Sequence, residues 1–206
     1  MTESTAPLVL YHWPQSRAAI ARWMLEEVGV PYTIKTFDIT AETHPSPELL
    51  AVNPMGKLPV LKHGEMVITE VSAICCYLAD RFPEAGLAPA IDDPRRGPYL
   101  KWLFFASGCI EPAVIHKTMQ WPEGRRGTLG WGSFDETVKV LVDAIADTKP
   151  WLLGEQFTAA DVAVGAQIRW GMLFGTLPKH PVLEAYANRL NERPALKRQM
   201  ELDSAG

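Results

Sequence analysis

The chain has 206 residues, 47% of them apolar, and a formal charge of −4, a balance that fits one large globular domain or two modest ones. Its 20 Lys and Arg fall singly or in short pairs, which excludes the basic footprint of a nucleic-acid binder, and no apolar run approaches the roughly eighteen residues of a membrane span. The opening MTESTAP has no basic-then-apolar pattern, and three cysteines, two of them adjacent, make no disulfide framework, so a soluble cytoplasmic protein is expected.

Leu8 to His12 is a short β-rich run that Trp13-Pro14-Gln15 breaks. From Ser16, the residues Ile20, Trp23, Met24 and Val28 recur at helical spacing until Gly29 and Pro31. Tyr32 to Phe37 reads as a second strand, and such a strand-helix-strand unit implies a parallel pair with a right-handed crossover. Leu58 to Leu61 and Met66 to Thr69 are strands about the turn Lys62-His63-Gly64-Glu65, and a helix over Glu70 to Arg81 completes a βαβ-ββα order.

Phe82 to Gly97, with Pro83, Pro89 and Pro94, is the clearest boundary, so domains at 1–84 and 85–206 are expected. Everything beyond it reads helical. Tyr99 to Ile115 forms one helix with a kink or end at Pro112, and Trp121 to Gly132 is loop. Ser133-Phe134-Asp135-Glu136 is a capping box opening a helix to about Thr148. Thr158-Ala159-Ala160-Asp161 repeats that logic, with Phe157 placed to staple against Val162. Leu183 to Leu190 is amphipathic, and Pro194 opens a last short helix.

The stretch NPMGKLPVL, Asn53 to Leu61, has the clearest chemical content. A Leu58-Pro59 step at a strand entrance leaves a short unpaired backbone edge that a peptide-like ligand can join as an added strand. Thr69 and Glu70 then open a helix whose free N–H groups can hold a carboxylate. Together they make a site for something short, peptidic and acidic.

N-P-x-G-K-[LV]-P-x-L, followed by an acidic helix entry and A-I-x-x-Y-L, resembles the pattern of the glutathione transferases. WLLGEQFTAADVAVG is similar to that family's capped central helix in the second domain, and HPVLEAYANRLNERPALKR to its closing helix pair, so the resemblance runs from Leu8 to Met200. It implies an α/β thioredoxin-like N-terminal domain that binds glutathione, followed by an all-α bundle that walls a second-substrate pocket. A cytoplasmic homodimer acting in detoxification, with glutathione as co-substrate, a small apolar electrophile as partner and no metal, is what the family leads one to expect.

Residue by residue, the resemblance places Leu58 and Pro59 against the tripeptide backbone, with Lys57 on its glycyl carboxylate or simply solvated. Glu70 would pair with the γ-glutamyl ammonium. Val71 departs from the pattern, since the family usually has serine there; its N–H remains, but the hydroxyl is missing. Ser72, one position late, is expected to cap or face solvent. A hydroxyl donating to the thiol sulfur favours the thiolate, and Ser16 in PQSR ranks first for this, with Tyr11 second and Gln15 and Arg17 flanking. The bland alternative for Ser16 is a helix N-cap.

Trp102, Phe105, Cys109 and Trp170 are candidates for the second-substrate pocket or for plain core. His12 ends the first strand close enough to line the site. Cys75 and Cys76 read as buried inert thiols, and no cysteine lies between Leu8 and Met66, which argues against thiol exchange. Two alternatives stay open: a glutathione-dependent isomerase or dehalogenase, and a binding module that kept the fold and lost the activity.

Overall fold

A computed structural model describes residues 6–147 and 150–205. The opening residues 1–5 and the expected helix end at Thr148 lie outside the described residues. The first part of the chain runs β1 (Leu8–His12), α1 (Ala18–Val28), β2 (Thr33–Thr36), α2 (Pro47–Val52), β3 (Val60–His63), β4 (Met66–Thr69) and α3 (Val71–Arg81). The four strands form one sheet in the order β2-β1-β3-β4, with β1 and β2 parallel and the other two pairings antiparallel.

The expected βαβ-ββα order therefore holds, with one addition. Helix α2 is capped by Ser46, whose Oγ accepts from the Leu49 N–H at 3.2 Å, and Pro47 opens it. That S-P-E signal stands in the sequence, but the helix is six residues long, too short to show a period. β3 begins at Val60 rather than Leu58, because Pro59 has no N–H to give to a ladder.

Alternation sorts the sheet into two faces. Val9, Tyr11 and Val60 lie on one, in a cluster with Phe37 and Leu49 against which Val52 and Leu58 pack. Leu10 and Leu61, paired across β1 and β3, point to the other face and are fully buried. Each such side chain contributes about 1.5–3 kcal/mol by leaving water.

The second part is helical: α4 (Arg96–Phe105), α5 (Glu111–Thr118), α6 (Phe134–Asp147), α7 (Ala159–Leu173), α8 (Pro181–Asn191) and α9 (Pro194–Ser204). The single helix expected over Tyr99 to Ile115 is interrupted by a π turn at Ala106–Ile110, where the Glu111 N–H reaches five residues back to Ala106 O. Pro112 is the cause, since it lacks the N–H that a regular helix would bond to Gly108. Both expected capping boxes form. Ser133 and Glu136 bond reciprocally at 3.1–3.2 Å, and Asp161 accepts from the Thr158 N–H at 2.8 Å. Phe157 and Val162 are both buried; the Phe157 ring lies edge-on to Trp151 and under the Arg193 guanidinium.

By internal contacts the chain divides into two units. One runs to Leu78 and takes in the chain from Pro194; the other spans Ala79–Arg193. Helix α9 packs against α1 within the first unit, so the chain's last helix returns to the sheet domain rather than extending the bundle.

Candidate functional site

Strand register assembles the site. Tyr11 pairs with Val60 across β1 and β3, and Val60 pairs with Thr69 across β3 and β4. At this same end β1 stops at His12, β3 starts at Val60 and β4 stops at Thr69. The corner at 13–17, the step at 57–59 and the helix entry at 70–71 thus arrive at one end of the sheet.

The loop before β3 is fixed from within. Asn53 is buried; its Oδ1 accepts from the Met55 N–H at 3.1 Å and its Nδ2 donates to the Lys57 carbonyl at 2.8 Å. Gly56 has φ +62°, and a Cβ there would stand 2.6 Å from the Pro45 Cβ, so only glycine fits. The Leu58–Pro59 peptide is cis. Leu58 follows with its N–H and C=O in no hydrogen bond among the described residues, the open backbone edge that the sequence implied. Lys57 is exposed, and no ion pair among the described residues involves it. Sequence reasoning quoted Asn53 only as part of a pattern; its burial makes it the residue that shapes the loop.

At the helix entry, Glu70 adopts φ +66°, the left-handed region, at a cost of roughly 1–2 kcal/mol for a residue with a Cβ. Its carbonyl accepts from the Ile74 N–H at 2.9 Å, starting α3, while its carboxylate is exposed and takes no hydrogen bond among the described residues. The Val71 N–H, in the first turn of α3, has no intrahelical acceptor. Ser72 corrects half of an expectation: it does not face solvent but is buried. It shares a helix face with Cys75 and Ala79, which turn inward with it.

The two candidate hydroxyls differ in setting. Ser16 is half-buried at the β1–α1 corner, where its O–H donates to the Trp13 carbonyl at 2.8 Å and its oxygen accepts from the Ala18 N–H at 3.1 Å. It thus meets the first residue of α1, but the N-cap position falls to Arg17, which makes no side-chain cap bond, so the bland N-cap reading is not met. Tyr11 is buried, its ring stacked on Phe37 at 5.1 Å with the Lys35 ammonium 5.4 Å from its centroid. Gln15 and Arg17 are exposed on either side of Ser16. His12 turns away from this end of the site: it is 1% exposed, with Nε2 2.8 Å from Asp203 Oδ1 on α9.

Of the four candidates in the helical unit, Trp102 is buried and lies edge-on to Phe105 at 5.3 Å, with the Lys101 ammonium 4.0 Å above its ring. Phe105 lines a cavity of about 530 Å³ with Leu129, Trp131 and Val140. Cys109, one turn further on, is half-buried, and burial raises its thiol pKa. Trp170 is half-buried on α7 and is not among that cavity's lining residues. Cys75 is fully buried with its thiol pushed up to about 12, by burial first and by Cys76 second, so it is protonated and inert near neutrality. Among the described residues no cluster of His, Cys, Asp or Glu could hold a metal ion, and no helix is long and apolar enough to cross a membrane.

An α/β domain of thioredoxin-like topology, with a Leu-Pro step and an acidic helix entry meeting at one end of its sheet, followed by an all-helical region, defines a class of glutathione-binding fold. The family model for the glutathione S-transferase N-terminal domain matches residues 6–80. Glutathione S-transferase A of Pleuronectes platessa is 29% identical over 191 residues, 84% of this chain and 82% of that protein. A glutathione transferase structure from Methylococcus capsulatus str. Bath superposes with a TM-score of 0.81 at 27% identity, covering 97% of this chain and 100% of that one. A sphingomonad glutathione S-transferase complexed with glutathione follows at 0.77 and 25%, covering 96% and 100%. Residues 6–80 thus match the glutathione S-transferase N-terminal domain, and the chain is similar over most of its length to glutathione transferases.

Proposed function

We propose that the chain is a cytoplasmic glutathione transferase whose residues 1–84 bind and activate glutathione and whose residues 85–206 wall the pocket for a small apolar electrophile. The observation that carries this reading is the convergence, at one end of the sheet, of an unpaired backbone edge at Leu58, an unpartnered carboxylate at Glu70 and a hydroxyl at Ser16. The sphingomonad relative crystallised with glutathione supports it.

In this reading glutathione pairs as a short strand with Leu58, its γ-glutamyl end between Glu70 and the Val71 N–H and its glycyl carboxylate near Lys57. Gln15 and Arg17 border the thiol. A free thiol of pKa about 8.5 is only a few per cent ionised near neutrality. Donation of the Ser16 O–H to sulfur favours the anion, and the thiol proton passes to water. The thiolate then attacks the electrophilic carbon, a C–S bond forms, and the leaving group departs with its electron pair. The rate gain comes from proximity and nucleophile activation, with no metal and no covalent enzyme intermediate. Trp102, Phe105, Cys109 and Trp170 supply apolar surface to the second pocket, and the protein acts as a homodimer in detoxification.

Retention on immobilised glutathione together with conjugation of an aryl halide tests the reading. Val71 favours one rival, a non-catalytic module, and loss of both properties at millimolar glutathione would establish it. An isomerase or dehalogenase shares the glutathione half and would bind without conjugating the aryl halide. Restoring the missing hydroxyl makes a further prediction. A hydrogen bond to a charged group is worth about 1.5–3 kcal/mol, so Val71→Ser should tighten glutathione binding roughly ten- to a hundredfold in calorimetry. An unchanged dissociation constant would mean that the γ-glutamyl carboxylate does not sit at this helix entry.

A further inference from the structure

The first unit contains a polar cluster that glutathione binding leaves unused. Asp203, in the last turn of α9, accepts at Oδ1 from His12 Nε2 at 2.8 Å and from Arg22 Nη1, and at Oδ2 from Gln199 Nε2. The Arg22 Nε also donates to the Tyr32 hydroxyl, which in turn donates to Glu26, and Arg198 stands 3.5 Å from Glu26. One carboxylate thus ties the end of β1 to α1 and α9. Burial opposes ionisation of Asp203, but His12 and Arg22 outweigh it and hold the pKa below the usual carboxylate range. Because the carboxylate only accepts, Nε2 of His12 is the donor, and Nδ1 is buried without a hydrogen-bond partner.

His12 is the last residue of β1, and the next residue, Trp13, supplies the carbonyl that accepts the Ser16 O–H. Where His12 is pinned decides where that carbonyl stands, and the carbonyl holds the Ser16 side chain at the corner, in the rotamer from which its O–H can turn to the sulfur. We infer that His12 and Asp203 are positioning residues, through which the last helix sets the orientation of the Ser16 hydroxyl. The inference rests on the reading in which Ser16 serves the glutathione thiol. It also gives the return of α9 to the sheet domain a consequence for the reaction. Leucine at position 12 would fill the space and drop the bond, whereas glutamine can offer an amide N–H at nearly the reach of Nε2.

The test reads the pH midpoint of the enzyme-bound glutathione thiolate from its ultraviolet absorbance, alongside kcat and KM for glutathione. His12→Leu is expected to raise the midpoint by about one unit, a tenfold loss of thiolate at fixed pH. It should lower kcat about tenfold while leaving KM within about twofold, and His12→Gln should stay within about twofold of the parent throughout. Should His12→Leu fail to fold, Asp203→Asn, which keeps the shape and removes the charge, is read in the same way and should shift the midpoint upward. An unchanged midpoint in the folded variant, or an equal loss in His12→Gln, overturns the inference. Ser16→Ala run in parallel separates the two levels. If it moves the midpoint and His12→Leu does not, the positioning role alone falls; if neither moves it, the role of Ser16 falls and this inference with it.

Discussion

Ser16→Ala is expected to lower the rate of glutathione conjugation about a hundredfold, the size of effect seen when one preorganised donor is removed from a developing or resting anion. The hydroxyl has a single proton, which in this structure goes to the Trp13 carbonyl. Serving the thiolate requires the O–H to turn about the Cβ–Oγ bond. The bond given up is a neutral one worth about 0.5–1.5 kcal/mol, whereas a bond to a charged acceptor is worth about 1.5–3 kcal/mol, so the rotation is favoured once the sulfur ionises. The Ala18 N–H can keep the serine oxygen as its acceptor meanwhile, so this contact with the start of α1 need not be lost. Tyr11→Phe should have little effect, because the Tyr11 ring is committed to packing against Phe37 in the sheet core. Stopped-flow or steady-state conjugation assays at saturating glutathione check both. Full activity in Ser16→Ala with an inactive Tyr11→Phe would transfer the role to the phenol.

How much of this was legible beforehand depended on the range over which each signal acts. β1, β4 and α3 declared themselves within a residue or two, because alternation, a Gly turn and helical spacing are local. The loop Asn53 to Pro59 was equally readable: Gly56 and the Leu-Pro step each answer a steric demand that their own residue type announces. Helix α2 escaped because its six residues make fewer than two turns, although Ser46 and Pro47 spelled its start. The π turn at Ala106–Ile110 escaped because one extra residue in a turn changes no composition, and only Pro112 marked the place. The bond between His12 and Asp203 joins positions 191 apart. Periodicity shows that α9 has an apolar face but not which unit receives it. That Ser72 does not face solvent was hidden for a related reason, since it shares its helix face with the buried Cys75 and Ala79.

Asp161→Ala is expected to be the most damaging single substitution in the helical unit, costing about 4 kcal/mol or more on the basis of about 1–3 kcal/mol for each buried donor left without an acceptor. Asp161 is 0% exposed and takes bonds from the Leu152 N–H at 2.8 Å, the Tyr186 hydroxyl at 2.7 Å, and the Thr158 N–H and hydroxyl at 2.8 and 3.0 Å. Burial raises its carboxyl pKa while these hydrogen bonds pull the other way; every contact is a donor, which is the pattern a carboxylate satisfies. Alanine leaves those donors facing apolar packing from Val162, Leu152 and Tyr186. Against a total stability of roughly 5–15 kcal/mol, a loss of that size removes a large share of the margin. The comparison that isolates burial is Glu136→Ala. Its sequence grammar is the same, Ser133 standing to Glu136 as Thr158 stands to Asp161, and its reciprocal hydrogen bonds at 3.1–3.2 Å are only slightly longer. But Ser133 is exposed, so water replaces what the side chain gave up, and the expected loss is about 1 kcal/mol or less. Urea unfolding followed by tryptophan fluorescence ranks the two variants. Equal midpoints would show that the cap at Thr158 acts only as a local helix start, and that Tyr186 and Leu152 draw nothing from the carboxylate.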